Sequence, residues 1–136
     1  MRTIIAGSRT FTNYELFHKH MLKELPRITT IISGGAYGVD YLGECLAKAY
    51  SIPLEIYKAE WDKYGKSAGY KRNQLMANKA DSLIAWWDGE SKGTKHMIDI
   101  ALKLQLQVIV FYIQPNENQI CRAVIYDDYE KEIVNV

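Results

Sequence analysis

The chain has few of the residues that staple or break a fold. It holds two cysteines and three prolines in 136 residues. Cys45 and Cys121 form no CxxC pair and no Cys/His spacing that could hold zinc. Cys45 falls in a helical pattern beside Leu42 and Leu46, so it reads as a buried, reduced thiol of a cytosolic protein. His18 and His20 stand two apart on a helix, point in different directions and cannot pair on a metal. Neither a metal nor a resident cofactor is expected. Charge of one sign is also lacking. Lys plus Arg is 17 and Asp plus Glu is 16, a net charge of +1. That balance argues against a protein whose main task is gripping long nucleic acid, though it leaves room for a local basic pocket. No apolar run approaches the ~20 residues that span a bilayer. The opening Met1–Gly7 is apolar for too few residues to be a signal peptide and reads as a first strand. A cytoplasmic protein without membrane contact is the expectation.

What is present is ordinary globular composition, with 48% hydrophobic and 24% charged residues. One domain of this length can bury a real core. Apolar runs of strand length alternate with helical periods. Thr3–Ala6, Thr29–Ile32, Pro53–Tyr57, Ser82–Trp86 and Val108–Tyr112 read as strands. Tyr14, Phe17, Met21 and Leu25 mark a first helix stopped by Pro26. Val39, Leu42, Leu46 and Ala49 mark a second, residues 69–80 a third, and Met97, Ile98, Ala101 and Leu102 a fourth. Residues 58–68 read as a polar, aromatic-rich loop. Strands apolar along their whole length imply a mainly parallel five-stranded sheet covered on both faces: an α/β, Rossmann-like, doubly wound sandwich. The tail after Pro115 reads as an added edge strand or hairpin built on Ala123–Tyr126 and Ile133–Val134.

In such a sheet, ligands bind at the carboxyl ends of the strands. Three loops there are rich in glycine and polar residues. They are Gly7-Ser8-Arg9, Ser33-Gly34-Gly35 running on to Asp40, and Trp87-Asp88 running on to Gly93-Thr94-Lys95. Glycine lets backbone amides approach an anion at a helix N-terminus, and arginine adds a bidentate donor. Thr94 occupies the expected N-cap, with Lys92 and Lys95 beside it. Arg72, next to Asn73, opens the third helix, where the dipole disfavours a cation unless an anion sits there too. Trp86 reads as core and Trp87 as a ring able to stack on a base. His96 reads as a surface or capping residue. The spacing matches neither a Walker loop nor G-x-G-x-x-G.

The run Ile31-Ile32-Ser33-Gly34-Gly35-Ala36-Tyr37-Gly38-Val39-Asp40 resembles the glycine signature shared by the DprA (Smf) and LOG proteins, together the SLOG superfamily. Ile4–Arg9, Tyr70–Ala77 and Trp87–Ile98 resemble its short, stand-alone YspA-like branch, with all segments in order over residues 1–112. The resemblance implies a nucleotide-binding domain over 1–112; residues 113–136, which it does not cover, read as a C-terminal extension packed on the same domain. It also implies a Rossmann-like fold and a ligand of nucleotide or ADP-ribose type. LOG members cleave the base from nucleoside monophosphates, DprA members bind single-stranded DNA, and other members sense NAD-derived signals. One departure stands out. Gly93 and Thr94 match the LOG motif Gly-Gly-x-Gly-Thr-x-x-Glu, but Met97 occupies the place of its catalytic Glu.

Three functions are therefore open. The first is binding of an ADP-ribose-like molecule by a sensor, sequestering or processing protein. Gly7, Ser8, Arg9, Ser33, Gly34, Gly35, Asp40, Arg72, Asn73, Trp87, Asp88, Gly93, Thr94 and Lys95 would hold the ligand, with Asp40 or Asp88 accepting from ribose hydroxyls. The second is N-glycosidic hydrolysis, with Arg72 orienting the substrate and Asp88, Glu90 or Asp40 as the acid/base group. The third is single-stranded DNA binding, for which Trp61, Tyr64, Lys63, Lys66 and Lys71 form the one suitable cluster, against the near-neutral charge. An aromatic content of 12% in so short a chain points to a homodimer or higher homo-oligomer.

Overall fold

The computed structural model describes residues 1–114, 119–127 and 130–134. Seven strands, β1 (Arg2–Gly7), β2 (Thr30–Ser33), β3 (Leu54–Ile56), β4 (Ser82–Trp87), β5 (Gln107–Gln114), β6 (Gln119–Asp127) and β7 (Glu130–Val134), form one sheet in the order β3-β2-β1-β4-β5-β6-β7. The first five run parallel. The last two are antiparallel and form a hairpin on the β5 edge. The helices are α1 (Tyr14–Met21), α2 (Val39–Ala49), α3 (Trp61–Tyr64), α4 (Ala68–Lys79) and α5 (Lys92–Lys103). None of the helices among the described residues is long and apolar enough to cross a membrane.

Strand alternation sorts the core into two layers. Ile5, Ile31, Ile84, Trp86 and Phe111 pack against Phe17 and Met21 of α1 and against Val39, Leu42 and Leu46 of α2. Ile4, Ala6, Ile32, Leu83 and Ala85 pack against Met76 and Ala77 of α4 and against Met97, Ile98 and Ala101 of α5. Ile4 and Ile5 are both fully buried although they face opposite ways, the mark of a sheet covered on both faces. β1 leads to β2 and β3 on one side, while β4 and β5 lie on the other. Strand order therefore reverses between β1 and β4, the place where open α/β sheets bind ligands.

The structure differs from the sequence reading at several points. α1 ends at Met21, and Leu25 opens a separate 3₁₀ turn with Pro26, which has no N–H to donate to the Leu22 carbonyl and cannot extend an α-helix across it. Ala47 rather than Ala49 completes the inward stripe of α2. The segment read as a loop over 58–68 contains α3 and a 3₁₀ turn over Gly65–Ser67. Cys45 is half-buried rather than buried. The side chain of Cys121 lies outside the described residues.

Candidate functional site

The first loop is fixed by backbone. Beyond Gly7 the β1–β4 ladder continues with the Ser8 amide donating to the Trp86 carbonyl at 2.9 Å. A side chain at Gly7 would stand 2.2 Å from that same oxygen, so only glycine fits. The second loop locks onto the first. Gly38 turns into α2 at φ +74°, and a Cβ there would lie 2.3 Å from the Ser8 carbonyl. That carbonyl instead accepts from the Val39 amide at 3.2 Å. Ser33 is buried and works inside the loop, donating to Glu44 Oε2 at 2.9 Å and accepting from the Gly35 amide at 3.1 Å.

Asp40 sits in the first turn of α2, buried, and accepts from the Ala36 amide at 3.3 Å. Burial pushes its carboxyl up to about 6, against the pull of the Ala36 amide and of nearby Arg72. Arg72 reaches the same spot from α4. Its Nη1 donates to the Gly34 carbonyl at 2.5 Å, and its Nε to Asn73 Oδ1 at 3.0 Å. Burial lowers its pKa, with Asp40 opposing and Arg9 adding to the shift. A guanidinium stays charged all the same. α4 begins at Ala68, which places Arg72 in its second turn. The dipole reason for an anion at the opening of that helix therefore falls away, and carbonyl acceptors hold the side chain instead. Asn73 is buried, and its amide nitrogen donates both to the Gly93 carbonyl at 3.2 Å and to His96 Nδ1 at 3.1 Å.

Ser91, not Thr94, caps α5: its hydroxyl accepts from the Thr94 amide. Thr94 is buried at the third helical position. The first amides of a helix have no partner within it. Gly93 places nothing over them, and a Cβ added there would meet no atom within 4 Å.

Gly7, Arg9, Asp40, Arg72, Asn73, Gly93 and Thr94 line one cavity of about 290 Å³, together with Trp61, Lys66, Tyr70 and Met97. Gly34 lies directly beneath Arg72 and Asp40. Other candidates lie elsewhere. Asp88 accepts from the Glu90 and Ser91 amides at 2.9 and 2.8 Å and from the Ser8 hydroxyl at 3.3 Å. Burial raises its pKa, but these donors outweigh that and hold the carboxyl below its ordinary value. It shapes the turn before α5. Trp87 donates its indole N–H to the Ser91 carbonyl at 3.0 Å and packs on Tyr112. Lys95 pairs with Asp99 at 2.8 Å. Glu90 and Gly35 are exposed.

The cavity wall from α4 was only partly visible in the sequence. Gly69, Arg72, Asn73 and Met76 recur at one helical face, i, i+3, i+4 and i+7, and all four line the cavity. That spacing was the available signal for Gly69 and Met76.

A family model described as "YspA, cpYpsA-related SLOG family" matches residues 1–64. The Gene 61 protein of Mycobacterium phage D29 is 30% identical over 123 residues, which is 84% of this chain and 98% of that protein. The chain belongs to the YspA, cpYpsA-related SLOG family. Membership assigns this SLOG protein a general ligand class, nucleotide-related molecules. It also places the fold, since SLOG proteins are Rossmann-like and the two added strands extend that plan. Within this SLOG domain, Met97 is 1% exposed and joins the α5 core stripe while reaching the cavity floor.

Proposed function

We propose that the cavity binds a phosphate-bearing nucleotide derivative of ADP-ribose type, and that the protein senses or sequesters it. The observation that carries this reading is charge. Arg9, Lys66 and Arg72 line a cavity in which Asp40 is the one acidic residue among the described lining. Asp40 is itself buried, with its carboxyl pushed up to about 6, so it offsets the cations weakly in slightly acid conditions. Such a site favours an anion. The α5 N-terminus, bare at Gly93, adds amides and a dipole of the matching sign. Arg72 anchors phosphate, and Asp40 accepts from a ribose hydroxyl. Hydrolysis is not favoured: Asp88 is engaged by three donors away from the cavity, and Met97 offers no carboxylate.

Thermal unfolding with AMP, ADP-ribose and NAD tests the reading. A ligand at 100 times its Kd adds about 2.7 kcal/mol of stability. A flat response across the three overturns it.

A further inference from the structure

Trp61 and Tyr70 are 52% and 47% exposed, yet both are held in place against the cavity. The Trp61 ring lies over Gly69, where an added Cβ would stand 3.4 Å from Cη2. The ring thus lies in van der Waals range of the α4 backbone. Tyr70 packs on His96 with ring centroids 4.3 Å apart. His96 is tied in turn to the Asn73 amide, which also holds the Gly93 carbonyl. An aromatic ring on a surface usually turns its face onto the core. These two are each anchored by a neighbour, and both line the cavity together with Arg72 and Lys66.

We infer that Trp61 and Tyr70 form a stacking shelf for a flat heteroaromatic base, so that the site selects nucleotides over sugar phosphates. This rests on the nucleotide reading of the same cavity and adds the part of the ligand that decides affinity. The shelf comes from α3 and the start of α4, while the cations and the α5 amides take the anionic part. A base has a π-face whatever its edge carries, so the shelf recognises the class and not a particular base. Lys66 at the rim adds positive charge near the π-system of a stacked base.

Calorimetric titration of AMP and ribose 5-phosphate separates the two readings. The wild-type protein should bind AMP at least roughly tenfold more tightly than ribose 5-phosphate, within the range of base–aromatic stacking. Trp61→Ala should weaken AMP by a similar factor and leave ribose 5-phosphate within twofold, while Trp61→Phe should recover most of the loss. Because Trp61 is half exposed, its removal should leave the melting temperature almost unchanged. AMP should also quench the Trp61 fluorescence, seen as the difference between wild type and Trp61→Phe. Equal affinity for the two ligands in the wild type overturns the shelf and leaves the phosphate site standing. Equal weakening of both ligands by Trp61→Ala also overturns it, since Trp61 would then only support the wall. Failure of both ligands to bind, with ADP-ribose and NAD failing too, overturns the nucleotide reading, and the shelf with it; binding of ADP-ribose with no binding of AMP overturns the shelf alone. Tight binding of an oligodeoxythymidine by a protein that ignores AMP assigns the rings to a nucleic-acid strand and overturns the proposal.

Discussion

Arg72, which lines the cavity, is anchored on Gly34: Nη1 donates to the Gly34 carbonyl at 2.5 Å, and a side chain at 34 would fall 2.7 Å from that nitrogen. It would also lie 2.8 Å from Asp40 Oδ2. Both obstacles are ends of side chains, not backbone. Gly34→Ala should therefore fold, because the guanidinium can swing away, but the cation then leaves its anchoring position. Loss of one charged hydrogen bond corresponds to about tenfold or more in affinity. Titration with AMP should show that loss, with a melting temperature within a few degrees of wild type. A cooperative melt with unchanged affinity would dismiss the anchoring role of Arg72.

Gly93 presents the opposite case. No atom lies within 4 Å of a Cβ built there, so nothing in the protein itself requires glycine. In a helix, alanine is favoured over glycine by about 0.5–1 kcal/mol. Gly93→Ala should raise stability by an amount of that order and at the same time weaken nucleotide binding, because the methyl group would stand where the phosphate approaches. Urea unfolding and a parallel titration read the two effects. Gain in stability with full affinity would place the anion away from α5.

The parts of the molecule that could be read from sequence are those with a simple period. The runs Thr3–Ala6, Thr29–Ile32 and Val108–Tyr112, rich in β-branched residues, have no polar alternation, as strands of a sheet covered on both faces require. The glycine loops followed from the strand ends. Features set by tertiary placement were not legible. α3 is four residues long and has no period to detect. Ser91 and Thr94 are both good caps, and the helix start chooses between them. Trp87 and Asp88 lie in the same loop as Gly93, yet their side chains close the turn while Gly93 opens onto the cavity. Trp61, Lys66 and Tyr70 line the cavity because α3, the 3₁₀ turn after it and the opening of α4 are brought to it by the tertiary fold, which no local pattern encodes.

Asp40 gives a dependence on pH whose sign follows from its burial. Its carboxyl titrates at about 6 in the folded protein, against an ordinary 3.8. Between those values the folded state holds a proton that the unfolded state has lost. Stability from this group is therefore greatest at pH 4, falls as pH rises to 6, and stays low above it. Two pH units correspond to at most about 3 kcal/mol. Asp40→Asn keeps an acceptor for the Ala36 amide and removes the charge. The variant should be more stable than wild type at pH 7.5 by about 1–3 kcal/mol and equal to it near pH 4. Denaturant curves at the two values check this, and a difference that grows toward low pH would reverse the assignment.

Met97 leads to the last expectation, that the protein is a poor phosphoribohydrolase. Releasing a base builds positive charge on the sugar in the transition state, and a nearby carboxylate stabilises it. Met97 stands where the LOG motif carries that carboxylate, and its thioether neither bears charge nor exchanges a proton at neutral pH. It is 1% exposed and packs in the stripe with Ile98 and Ala101. His96 is one residue away, rotated about 100° around the helix, and its Nδ1 is already engaged by Asn73. Asp88 is held by the Ser91 and Glu90 amides and by Ser8. Absence of one stabilising group typically costs a hundredfold or more in rate. Base release from AMP, followed chromatographically, should thus run far below the ~10 per second of an ordinary enzyme. Met97→Glu should not restore it, because a carboxylate buried in the α5 core stripe either takes up a proton or unsettles the packing. Turnover near the ordinary range in the wild-type protein would refute this, and its loss in Asp88→Asn would then show that the loop carboxylate had taken over.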